Sequence, residues 1–146
     1  MIRDAVLAEA RSWIGTPYRH QASVKGAGCD CLGLLRGVWR ALYGEEPEAA
    51  PPYTRDWDEV AKADALMQAA ARHLVPQART ERCPGDVILF RMREDAVAKH
   101  LGICAGRGSF IHAYARHGVV ESSLSAPWQR RIAGIFAFPD AVRGNL

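Results

Sequence analysis

The stretch KGAGCDCLGLLRGVW, residues 25–39, sets two cysteines one residue apart between a glycine-rich turn and a run with helical spacing. Asp30 is a residue type favoured at a helix N-cap, so Cys31 becomes the first helical residue and Cys29 stays outside. Leu34, Leu35, Val38, Trp39, Leu42 and Tyr43 then share one face, and Gly44 stands where a C-terminal cap belongs. Free backbone N–H groups and the positive end of the helix dipole favour a thiolate at Cys31. On this stretch alone Cys31 reads equally as an activated nucleophile and as a small apolar residue packed at a helix start.

Upstream, Val6, Leu7, Ala10, Trp13 and Ile14 recur at helical spacing until Gly15 and Pro17 of GTPY stop the run. Downstream, the proline-broken connector EEPEAAPP leads to Trp57, Val60, Ala61, Met67, Ala71 and Leu74, whose spacing predicts a surface helix. The second half changes character. DVILF, HLGICAG, SFIHAYA, GVVES and RIAGIFAFP read as short strands separated by turn residues. Helices first and strands after predict an α+β fold, with N-terminal helices packed on an antiparallel sheet. The 146 residues, 49% apolar and 24% charged, with no internal repeat or low-complexity segment, predict a single domain over 1–146.

Several function classes are disfavoured. The net charge of +3 is spread along the chain, and its one tight basic cluster, Arg130 and Arg131, is too small for a nucleic-acid stripe. No apolar stretch approaches a membrane span, and Arg3 and Asp4 fall where a signal peptide would carry its apolar core. Synthesis in the cytoplasm without a Sec-type exit is therefore expected, and with it reduced thiols at Cys29, Cys31, Cys83 and Cys104. Zinc would want C-x-x-C or H-x-x-x-H pairs, whereas the inner spacing here is C-x-C and Cys83, His100 and Cys104 are scattered. A C-x-x-C redox motif is absent as well, so no metal and no cofactor is expected.

The hairpin shifts the balance at Cys31. His100 and His112 flank GICAGRGSFI, and Gly106 of the turn lies midway between them. A hairpin closing there makes the two imidazoles cross-strand neighbours on one face, roughly 5 Å apart at Cβ. Considered alone, each histidine reads as a core or strand-end residue. Together with a thiol at a helix start they supply a base, an orienting group and a nucleophile, the set a Cys-His hydrolase needs.

With WIGTPY, GCDCLGLL, CPGDVILF, HLGI and FIHA in this order, the chain resembles the NlpC/P60 cysteine peptidases, a papain-like group that cuts bacterial cell-wall peptides. The resemblance implies Cys31 as nucleophile, His100 as general base and a neutral His112 as its orienting partner. It implies that the Tyr18 hydroxyl lies near the oxyanion site beside the backbone N–H of Cys31, with Asp30 at the cleft; Tyr18 reads equally as core packing. Leu32 replaces the serine usual after the nucleophile, and YRHQASVKGAG lacks the family's glycine pair, departures that bear on substrate preference. The details DCLGLLRGVW, PPYTRDW, AKHLGI and FIHAY most resemble the branch encoded with phage tails and gene transfer agents. That likeness implies an enzyme carried in a virion-like tail, held by a tail hub or tip protein and cutting peptidoglycan stem peptides during DNA delivery; residues 51–74, which the triad leaves free, are the candidate surface for that partner, and Trp57 reads equally as a plug of the core. The alternatives are a catalytically silent tail-assembly module with the same fold and a Cys/His metal-binding module.

Overall fold

The structure, a computed structural model, describes residues 2–47, 65–92, 98–106 and 108–140. Helix α1 (Ile2–Ser12) buries Val6 and Ala10, and the chain turns at Gly15, whose φ of 95° is open to glycine at no steric cost. A short hairpin, β1 (Ser23–Val24) with β2 (Gly28–Cys29), leads into α2 (Cys31–Tyr43). Gly44 caps that helix at φ 93° and donates its N–H to the Arg40 carbonyl, in the place the sequence assigned to it. Trp13 packs closely on α2 where residue 37 is glycine; a Cβ there would stand 2.0 Å from the indole. Helix α3 (Ala65–His73) covers the expected Met67 and Ala71, while Trp57, Val60 and Ala61 lie outside the described residues.

The remaining elements are β3 (Val75–Gln77), β4 (Val87–Arg91), β5 (Ala98–Cys104), β6 (Ser109–Tyr114), β7 (Gly118–Ser123), α4 (Ala126–Gln129) and β8 (Ile132–Ala137). They form a six-stranded sheet in the order β3-β8-β4-β5-β6-β7, with antiparallel neighbours throughout. This is the α+β architecture expected from the order of periodicities, with β8 returning to insert beside β4.

Period-two alternation divides the sheet into two faces. Val87, Leu89, Leu101, Ile103, Ile111, Ala113 and Val119 pack with Leu34, Val38 and Trp39 of α2. Ile88, Phe90, Cys104, Phe110, Ile132 and Ile135 form a second cluster on the other side, with Leu124 and the half-buried Trp128 of α4. The unbroken apolar run VILF in β4 is the sequence trace of a central strand covered on both faces.

Candidate active site

Asp30 is the N-cap of α2, its Oδ1 accepting from Gly33 N–H at 2.8 Å. Its Oδ2 accepts from Gln21 N–H at 2.7 Å, so one buried carboxylate ties the loop before β1 to the first helical turn. Cys31 is thereby fixed as the first helical residue. Its thiol receives the backbone N–H groups of Leu101 and Leu32.

The place where Leu101 meets that sulfur is a local failure of sheet pairing. β6 pairs with β7 along its whole length, but with β5 only at Ile103–Ile111 and Cys104–Phe110. Beyond Ile103 the two strands stop pairing, and the free amide of Leu101 turns to the thiol instead. The register also shifts between Phe90–His100 and Arg91–Ala98, leaving Lys99 as an extra residue on β5. Such bulges bend a strand and re-aim its side chains. Here Ala98 joins the cluster on the α2 face while His100 stands among aromatic rings of the other face.

His100 and His112 meet, with Nε2 of the first 2.8 Å from Nδ1 of the second. The expected register is corrected in one respect. The pairs Ile103–Ile111 and Cys104–Phe110 are shifted by two residues from a register centred on Gly106, so the histidines are diagonal and His112 falls opposite Gly102. Gly102 makes this possible: a Cβ there would lie 2.7 Å from the Phe110 ring and 3.2 Å from His112 Cβ. The long diagonal is spanned by the rings themselves.

Both histidines are enclosed. His112 is fully buried and His100 is 7% exposed. Trp128 stands 5.8 Å from the His100 ring and 5.4 Å from that of His112, and Phe90, Phe110 and Tyr114 close the remaining sides. Burial, aided by the neighbouring His112, pushes the His100 pKa down to about 3. Burial and the nearby His117 push His112 down to about 4. The thiol departs from the expectation of a helix-stabilised thiolate: burial first, and the Asp30 carboxylate second, raise Cys31 to about 12 against the two N–H groups that favour the anion. The resting site therefore holds a neutral thiol and two neutral imidazoles, the state expected for His112.

Tyr18 is half-buried against the α2-side core and joined to Cys29 by an isolated bridge, so it stands beside the strand that leads into Cys31. With Pro17, Ala115, Arg116, His117 and Gly118 it lines an open groove of about 540 Å³. Two side chains at the site escaped the sequence reading. One is Trp128; the other is Ser122, whose Oγ lies 2.8 Å from His112 Nε2. Among the described residues no group of three or more His, Cys, Asp or Glu side chains is placed to hold a metal ion, and all four cysteines are free.

A thiol at a helix start, an imidazole one residue from the amide that meets it, and a second imidazole behind the first stand on an α+β scaffold. The NlpC/P60 family matches residues 15–136, and the chain belongs to that family. It is 28% identical over 131 residues to the murein DD-endopeptidase MepS/murein LD-carboxypeptidase of Escherichia coli K12, covering 89% of this chain and 60% of that protein. The chain thus spans less than two thirds of that relative's length. The crystal structure of the NlpC/p60 domain of the peptidoglycan hydrolase SagA superposes with a TM-score of 0.66 at 22% identity, covering 94% of this chain and all of that one. RipD of Mycobacterium tuberculosis, described as a non-catalytic NlpC/p60 protein adapted to peptidoglycan binding, shares the fold at a TM-score of 0.55 and 15% identity, covering 94% of this chain and 96% of that one.

Proposed function

We propose that this chain is a cell-wall cysteine peptidase acting on the stem peptides of peptidoglycan. The fold alone does not carry that reading, since RipD has the fold and is described as non-catalytic. The contact between His100 Nε2 and His112 Nδ1, next to the amide that meets the Cys31 thiol, carries it. Nε2 of His100 is committed to His112, which leaves Nδ1 as the nitrogen to serve the sulfur.

From a neutral resting pair, the thiol proton passes to His100 as Cys31 sulfur attacks the scissile carbonyl carbon. The oxyanion is received by the Cys31 backbone N–H and the Tyr18 hydroxyl. The imidazolium of His100, held through Nε2–H by His112, returns the proton to the leaving amine. A water deprotonated by the same imidazole then releases the acyl group and restores the thiol. The bond assigned is that between D-glutamate and the diamino acid of the stem peptide. Arg116 in the groove makes no hydrogen bond or ion pair among the described residues, and it supplies a cation for the carboxylates such peptides carry.

The site of action proposed is a phage-like tail that meets the wall during DNA delivery, on the strength of the motifs DCLGLLRGVW, PPYTRDW, AKHLGI and FIHAY. A tail hub or tip protein is the partner this assigns. Digestion of purified peptidoglycan followed by mass spectrometry tests the chemistry: new amine and carboxyl ends at one stem-peptide bond are expected from the wild type and none from Cys31→Ala. A folded wild-type protein that yields no cleavage overturns the enzymatic reading. Absence of the polypeptide from purified particles, by mass spectrometry, overturns the placement in a tail.

A further inference from the structure

The histidine pair continues to a third group. His112 Nδ1 lies 2.8 Å from His100 Nε2, and His112 Nε2 lies 2.8 Å from Ser122 Oγ, so base, orienting histidine and serine form one unbranched chain across β5, β6 and β7. In β6–β7 pairing Ser122 is opposite Phe110 and so diagonal to His112.

Such a chain can run in two directions. If Ser122 donates to His112 Nε2, then His112 donates from Nδ1 to His100 Nε2, and His100 must carry its own proton on Nδ1, toward the thiol. A nitrogen that already bears a proton cannot accept another, and the base is blocked. If Ser122 accepts, His112 is protonated on Nε2, its Nδ1 accepts from His100 Nε2–H, and His100 Nδ1 is left with a free lone pair. The enclosure by Trp128, Phe90, Phe110 and Tyr114 keeps bulk water from the two imidazoles.

We propose that Ser122 is a positioning residue that selects the productive tautomer of His112, and through it that of His100, by accepting a hydrogen bond from His112 Nε2–H. The inference rests on the catalytic reading above, but its first test does not require activity. The titratable groups facing His112 are His100 of β5, Tyr114 of β6 and His117 of the β6–β7 turn, so variants are compared with all three retained.

Nitrogen-15 NMR of histidine-labelled protein should show His112 protonated at Nε2 and bare at Nδ1 near neutral pH, and Ser122→Ala should shift that ring toward a tautomer mixture. Ser122→Thr, which keeps the hydroxyl on a strand position that tolerates β-branching, should keep the wild-type spectrum. In cleavage assays Ser122→Ala should lower kcat about tenfold with KM unchanged, the size of one neutral hydrogen bond, and Ser122→Thr should restore it. Ser122→Asp should move the acid limb of the pH–rate profile upward, because a carboxylate at that point favours imidazolium. A His112 ring protonated on Nδ1 in the wild type, or a Ser122→Ala spectrum and kcat equal to wild type, overturns the proposal. If the NMR result holds while no variant cleaves, the assignment of activity has failed and the tautomer assignment stands.

Discussion

Lowering the pH from 7 to 4.5 should destabilise this protein more than its carboxylates explain, and the excess should disappear with its histidines. In the folded protein burial lowers His100 from 6.5 to about 3 and His112 from 6.5 to about 4. The unfolded chain takes up those protons below pH 6.5, and the folded chain does so only near pH 4 and 3. Acid therefore favours unfolding, and the stability is complete above 6.5 and lost as pH falls toward the folded values. Integrated from pH 7 to 4.5, each imidazole costs about 2–3 kcal/mol, and the pair about 5 kcal/mol. That is a large share of an ordinary domain's stability. Urea denaturation followed by tryptophan fluorescence at the two pH values would measure it, with His100→Gln and His112→Gln as controls. Glu9 and Glu46, whose pKa values ion pairing lowers, are common to all three proteins and cancel in the comparison. Each Gln variant should lose about half of the excess. Equal pH dependence in wild type and His100→Gln would refute the reasoning, since the ring could then accept its proton as readily folded as unfolded.

Cys31→Ala should abolish cleavage; Cys29→Ala should keep most of it while losing about 1 kcal/mol of stability for its buried sulfur, as read by the same urea titration. Gly102→Ala should cost about 1–3 kcal/mol, because the new methyl must displace Phe110 and His112 Cβ, and should lower kcat as the histidine contact lengthens. Arg116→Ala should raise KM for a stem peptide with a free D-glutamate carboxylate about threefold, as expected of one exposed ion pair. It should leave KM unchanged for the amidated peptide, with kcat the same for both.

The helix start around Cys31 was legible because its signals are local. A cap residue, a helical stripe and a terminal glycine each declare themselves within a few positions of Cys31. The sheet was legible in part: alternation located β4 to β8, and the shared parity of His100 and His112 put them on one face. It could not fix the register, since Gly106 and the next residue serve equally as the centre of a hairpin. Nor could it show the bulge at Lys99, because one extra residue changes no composition, only the partner across the ladder. β3 and the β1–β2 hairpin have two or three residues each and carry no period. Ser122 was within reach. In GVVES followed by a further serine, Val120 and Ser122 share the face of His112, and a polar residue on that face asks for a buried partner. The thiolate expectation failed for a different reason: the helix dipole is visible in sequence, but the burial that outweighs it is a property of the packed chain.

The bulge, the glycine and the early end of β5–β6 pairing solve a single geometric problem. Cys31 comes from the helix-covered face of the sheet, while the rings of His100 and His112 are packed among aromatics that belong to the opposite face. In a fully paired ladder a thiol on one face and an imidazole on the other are separated by the sheet itself. Here β6 leaves β5 after Ile103, so the first turn of α2 can meet the edge of β5 at the Leu101 amide. The bulge at Lys99 turns the strand just before His100, and Gly102 leaves room for the two imidazoles to meet. The backbone group released by the broken pairing is not left unsatisfied, because the sulfur takes the place of the missing carbonyl. The Cys31 thiol and the strand that carries His100 thus meet at a defect in the sheet, and the same defect sets a requirement on substitutions: any change that restored regular β5–β6 pairing would add ladder hydrogen bonds and take the Leu101 amide away from the thiol.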